Sequence, residues 1–113
     1  MSWLNEATEI KTFEDKQLEA KRNQKQQFVS AVQSHLDSTA QERDYDNILS
    51  LCTYATDLDP KFSAEGQAAV EWRGQVWAYC YKALEDIESG LRDIPTKDEL
   101  ISELPTFTWP VGE

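Results

Sequence analysis

The chain has 113 residues, 40 % hydrophobic and 28 % charged, with a formal net charge of −10. That length suits one domain able to bury a core without metals or disulfides. The charge is uneven: residues 1–43 carry six basic and seven acidic side chains, residues 44–113 five basic and fourteen acidic. This balance excludes the Lys/Arg-rich surface that nucleic acid or an anionic membrane requires, and it suits a basic partner.

In chain order, residues 1–11 form a short lead with Trp3, Leu4 and Ile10 available to dock on a partner or on the body. Thr12-Phe13-Glu14-Asp15 resembles a capping box, and from there to Leu36 no Gly or Pro interrupts a run rich in Gln, Glu, Lys and Ala. The expectation is a helix of about 37 Å. Phe28, Val29, Val32 and Leu36 make an apolar stripe on its second half, whereas the same stripe projected backwards meets Lys25, Arg22 and Lys21 before Leu18. The first half therefore either projects as a solvated helix or self-associates, although heptad positions that alternate leucine or valine with lysine make a poor coiled-coil seam. Residues 37–43 continue the helix or bend.

Asp44 is expected to cap a second helix from Tyr45 to about Thr56, with Tyr45, Ile48, Leu49, Leu51, Cys52 and Ala55 on its inner half. Leu58-Asp59-Pro60-Lys61-Phe62 reads as a loop and Ser63 as the cap of a long third helix. On that helix Ala69, Val70, Trp72, Val76, Trp77, Cys80, Ala83, Leu84 and Ile87 fall in one arc of roughly 160°. Gly66 and Gly74 suggest close helix approach, and Gly90 is a natural helix stop. Thr96 and Glu99 form a capping box for a short helix carrying Leu100, Ile101 and Leu104 until Pro105. The tail with Phe107 and Trp109 wraps over the body or is handed to a neighbour.

The predicted fold class is all-α: a small helical bundle with a long, partly projecting N-terminal helix, two further main helices, a short C-terminal helix and an extended tail. Its divisions are residues 1–27, the lead and polar half-helix; 28–105, the helical body; and 106–113, the tail. The expected core contains Phe28, Val32, Tyr45, Leu49, Trp72, Val76, Trp77, Cys80 and Leu84. Arg73 falls inside the apolar arc, so its guanidinium needs a carboxylate from Asp46, Asp57 or Glu65, or else forms an anion site. Trp72 and Trp77 read as core, with a ligand-stacking platform as the other possibility. Trp3, Leu4, Leu18, Phe107 and Trp109 are the candidate partner contacts.

No catalytic, cofactor or metal site is expected. The acidic pairs Glu85–Asp86 and Asp98–Glu99 have nothing apolar around them to shift a pKa. Cys52 and Cys80 read as two buried thiols, and with His35 the single histidine there is no zinc-ligand set. The opening residues lack a basic start and an apolar run, and no segment approaches the roughly 20 apolar residues of a membrane span. The expectation is a protein of the cytoplasm or of a particle assembled there.

Several motifs carry a resemblance. Tyr45-Asp46-Asn47-Ile48, Thr53-Tyr54-Ala55, Phe62, Glu65, Trp72-Arg73 and Val76-Trp77 resemble a group of small proteins of tailed bacteriophages and prophages. Trp3-Leu4-Asn5-Glu6-Ala7, Pro95-Thr96, Glu99-Leu100-Ile101 and Glu103-Leu104-Pro105 are similar to the same group, so the likeness covers nearly the whole chain. The resemblance implies a protein of the tail or tail-fibre region, structural or helping assembly. Its partners would be other phage tail proteins, in the host cytoplasm during assembly and then in the virion tail; a homo-oligomer is expected separately, from the mismatch between the polar leading helix and the acidic body, through the N-terminal helix and the Phe107–Trp109 tail. The resemblance implies no catalytic residue. The acidic second half suggests another role, an early phage protein that inhibits a basic host factor, and the paired tryptophans a third, a small-molecule module.

Overall fold

The computed structural model describes residues 13–111. The chain divides into two compact units, residues 1–30 and 31–113. Among the described residues the regular structure is entirely helical: α1 (Phe13–Gln41), α2 (Ile48–Cys52) running into a 3-10 turn (Thr53–Thr56), α3 (Pro60–Glu88) and α4 (Lys97–Glu103). The all-α expectation is met. No helix is long and apolar enough to cross a membrane, among the residues described.

In the first unit α1 is polar, and its described side chains through Gln27 are exposed, Leu18 at 51 %. Phe28 is half-buried and Val29 exposed. The expected cap at Thr12 lies outside the described residues.

In the second unit α1 continues through Gln41, burying Val32, Leu36 and Ala40 at four-residue spacing. It stops where Asp44 turns left-handed (φ 69°) and the Tyr45 N–H reaches back to the Ala40 carbonyl. Asp tolerates that conformation better than most residues. Asp44 thus closes the first helix instead of opening the second, correcting its expected role. Asn47 opens α2, its side-chain oxygen accepting the Ser50 N–H at 2.8 Å. Asp37 on α1 accepts the Ile48 N–H at 3.0 Å, which satisfies another unpaired donor of that helix start.

Because α2 starts at Ile48 and tightens after Cys52, only residues three apart share its inner face. Ile48 and Leu51 are buried, and Leu49, expected in the core, is 62 % exposed. The start of α3 also differs from expectation. Asp59, not Ser63, is the cap, with its carboxylate accepting the Lys61 and Phe62 N–H groups. Pro60 occupies the first helical position, where a missing N–H costs nothing and its fixed φ suits the helix. Ser63 instead donates its hydroxyl to the Ala55 carbonyl at 3.0 Å.

Along α3 the buried residues are Glu65, Gly66, Ala69, Trp72, Val76 and Ala83, with Trp77, Cys80 and Leu84 half-buried beside them. A Cβ at Gly66 would run into the backbone of Tyr54 and Ala55, whereas one at Gly74 meets nothing within 4 Å. Close approach therefore explains Gly66 and not Gly74. Gly90 (φ 76°) follows α3 as its stop. The Thr96–Glu99 capping box is formed in both directions, at 3.1 and 3.0 Å. Leu100 and Leu104 of this last segment are buried, and Leu104 is extended ahead of Pro105.

Candidate functional site

The densest side-chain chemistry gathers around Glu65. Its side chain sits on the buried face of α3, one turn before Ala69 and two before Trp72, and only 2 % of the residue is exposed. An isolated carboxylate there would cost several kcal/mol, and both of its oxygens are engaged. Oε2 accepts from the Arg43 guanidinium at 2.6 Å and Oε1 from the Tyr45 hydroxyl at 2.8 Å. Both partners come from the turn that ends α1. Burial, then the bond to Glu65, pushes the Tyr45 hydroxyl above its usual range.

Aromatic rings spread from this point. The Tyr45 ring stands edge-on to Tyr54 at 5.3 Å, and Tyr54 meets Phe62 at 5.6 Å. On its other side Tyr45 stacks on Trp109 at 6.3 Å. The Arg43 guanidinium lies over the same indole, 4.8 Å from its centroid. Trp109 donates Nε1–H to Glu42 at 3.3 Å and stands perpendicular to Phe107 at 4.8 Å. Phe107 lies 4.9 Å from Trp72, whose Nε1–H donates to the Pro105 carbonyl at 2.7 Å. Trp72 also meets His35 edge-on at 5.9 Å. The tail is thus threaded into a continuous run of rings and held over the body.

This arrangement corrects several expected roles. Arg73 is exposed, as are Asp46 and Asp57, so the buried ion is Glu65 and its cation is Arg43. Arg73 does lie inside the α3 arc, between Cys80 and Leu84, but the structure leaves that side of the arc only half-buried, so a long side chain there reaches water. Glu65 falls near the centre, and extending the wheel one turn N-terminal to Ala69 would have exposed it as the inward charge. No periodicity could have named Arg43, which lies in a turn 22 residues away. Trp72, Val76 and Val32 are buried; Trp77, Cys80, Leu84, Tyr45 and Phe28 are half-buried. Phe107 and Trp109, expected as partner contacts, are half-buried and occupied by the protein's own rings. Trp3 and Leu4 lie outside the described residues.

Neither Cys52 nor Cys80 is disulfide-bonded, and burial pushes both thiols up, with nearby Arg73 opposing the shift at Cys52. Thiols held protonated are poor nucleophiles. Every buried side-chain nitrogen or oxygen among the described residues has a partner. Replacing Glu65 by alanine strands the Tyr45 hydroxyl and frees Arg43. Because Arg43 is itself 41 % exposed, the expected loss is about 2 kcal/mol rather than the full cost of breaking a buried pair. Urea unfolding of Glu65→Ala beside Glu65→Gln checks this, the amide being expected to retain part of the loss.

A second cluster ties the end of α3 to α4. Arg92 grips Glu103 with two nitrogens, at 2.8 and 3.0 Å, and the Tyr79 hydroxyl donates to the same carboxylate at 2.5 Å. Chiefly through the Arg92 bond, then that of Tyr79, the Glu103 carboxyl is held down to about 2 from 4.5. A depressed folded-state pKa contributes stability above the unfolded value that is lost as pH falls towards the folded one. Melting temperature should therefore drop between pH 4.5 and about 2. Glu103→Gln should flatten that slope, and equal slopes in both proteins would show the clamp to be energetically idle.

The fold and these clusters define a small all-α protein whose charged and aromatic side chains serve packing and the fastening of its tail. In comparisons with known proteins, no family model, no curated protein and no solved structure matches the chain.

Proposed function

We propose that this chain is a non-enzymatic component of a phage tail, or a helper in the assembly of the tail or its fibres, acting through protein–protein contacts. The observation that carries the reading is a pinned helical body that leaves large apolar side chains in water: Leu49, Val70, Tyr81 and Leu91 are 62, 50, 70 and 76 % exposed. Val70 and Tyr81 share one face of α3, and exposed apolar side chains grouped on one face suit recognition by another protein. The phage setting rests on the resemblance of the packing motifs, several of which (Tyr45, Ile48, Tyr54, Phe62, Glu65, Trp72) build the core and the aromatic run. Leu18 on α1, and Trp3 and Leu4 ahead of it, remain contact candidates. The protein would work in the host cytoplasm during assembly and pass into the virion tail.

A tagged copy used as bait in lysate of infected cells is expected to recover tail or fibre proteins, with the chain found by mass spectrometry in purified virions or assembly intermediates. Absence from both would defeat the reading. The alternative, an acidic inhibitor of a basic host factor, draws on the exposed carboxylates of the second half, among them Asp44, Asp46, Asp57, Asp59, Glu71, Glu85 and Asp93. Recovery of a nuclease or polymerase subunit in place of tail proteins would favour it.

A further inference from the structure

The side of α3 turned away from the core has an order that packing inside one copy does not use. Val70, Gly74, Trp77 and Tyr81 follow one another at spacings of four, three and four, so they line one face over three turns, about 16 Å. Val70 is 50 % and Tyr81 70 % exposed, Trp77 is half-buried, and Gly74 is exposed with open space where a Cβ would stand. Glu71, Gln75, Ala78, Lys82 and Glu85 beside the stripe are exposed as well. The result is an apolar ridge with a notch at Gly74 and an indole one turn further on.

We infer that this face is where two copies of the chain join, their α3 helices antiparallel about a two-fold axis level with Gln75 and Val76. That register is singled out by the residues themselves. Val70 of each copy comes opposite Tyr81 of the other, and the Trp77 ring of each comes opposite the other's Gly74 notch, as a knob opposite a hole. The two-fold repeats both contacts, as an interface made of one surface patch twice must. On the flank that carries Glu71 and Lys82, Glu71 of one copy comes about 3 Å along the axis from the level of Lys82 of the other, within reach of these long side chains. Among the described residues Glu71 takes a 3.5 Å contact from Gln75, and Lys82 makes an exposed bond to Asp86 at 2.8 Å. Exposed bonds of that kind contribute little and exchange readily. The spacing of Val70, Gly74, Trp77 and Tyr81 reads the same in both directions, which a second copy matches and an unrelated partner need not; opposite charges near each other on the flank add to it. One helix face is small beside the roughly 800 Å² per partner of a standard interface, so the dimer depends on concentration.

This inference adds a contact with a second copy to the protein–protein contacts of the proposed function, on which it does not depend, and the two fail separately. Recovery of phage proteins decides the function, and sedimentation of the purified chain decides the face. Sedimentation equilibrium of the full chain over a wide concentration range should show the mass rising from the 13.0 kDa of one copy towards twice that. Gly74→Leu fills the notch from an exposed position whose Cβ meets nothing within 4 Å and replaces glycine with a better helix former, so the thermal stability of the single copy should not fall. Val70→Glu places a charge on the ridge at an already exposed position. Each should weaken the dimer by about tenfold or more, as loss of a packed anchor does at an interface. A monomer at every concentration, or a dimer that either substitution leaves intact, overturns the assignment.

Discussion

Gly66→Ala should lower the stability of the protein by about 3 kcal/mol, although alanine is the better helix former. The added methyl would lie 2.6 Å from the Tyr54 carbonyl carbon and 2.8 Å from the Ala55 Cα, and closer still to the Ala55 nitrogen. These are backbone atoms, which cannot rotate aside as a side chain can. The 3-10 turn would have to back away from α3. Its Ala55 carbonyl would then lose the Ser63 hydroxyl and the Gln67 amide, now at 3.0 and 3.2 Å. Gly74→Ala is the matched control in the same helix, with nothing within 4 Å of the new methyl, and should gain up to about 1 kcal/mol. Chemical unfolding of the pair isolates close approach from helix propensity. A Gly66→Ala protein as stable as the parent would mean that α3 does not lie against that turn.

Trp72→Ala should cost about 3–5 kcal/mol, the usual range for a large buried aromatic. Marginal stabilities of about 5–15 kcal/mol leave little after such a loss. Trp72 is 4 % exposed, touches the rings of His35 and Phe107, and donates to the Pro105 carbonyl at 2.7 Å. Trp72→Phe separates these roles, since it keeps an aromatic ring and removes the donor. It should cost about 1–3 kcal/mol for the stranded carbonyl and loosen the tail ahead of the body. Chymotrypsin should then cut after Phe107 under conditions where the parent tail survives, with products identified by mass; the bond after Trp109 leads into Pro110 and resists the enzyme. Unchanged cleavage in Trp72→Phe would show that the stacking of Trp109 on Tyr45 and Arg43 holds the tail without this hydrogen bond.

The elements that local chemistry announces are legible in the sequence. The Thr96–Glu99 box, the Gly90 stop and the unbroken first helix each depend on residues within one or two turns of one another, and each is present. The helix starts at Asn47 and Asp59 differ from the sequence expectation because several nearby residues can act as caps. Tertiary demands chose among them: Asp44 was needed to turn the chain, and Ser63 to hold Ala55. The Tyr45–Trp109 stack joins residues 64 positions apart, and no pattern within either segment announces it.

By itself the sequence determined the helical class, because apolar residues recurring at the helical period leave an amphipathic helix as the economical way to bury them. It also determined the acidity of the second half and the inward turn of Trp72. Only the tertiary structure decided which charge goes inside. A wheel shows direction but not what stands opposite, and a carboxylate is tolerated where donors arrive from elsewhere in the chain. Arg43 and Tyr45 arrive at Glu65, so Glu65 is buried, while Arg73 on the half-buried side of the arc reaches water. The same placement drew Phe107 and Trp109 onto the body and left Val70 and Tyr81 facing out.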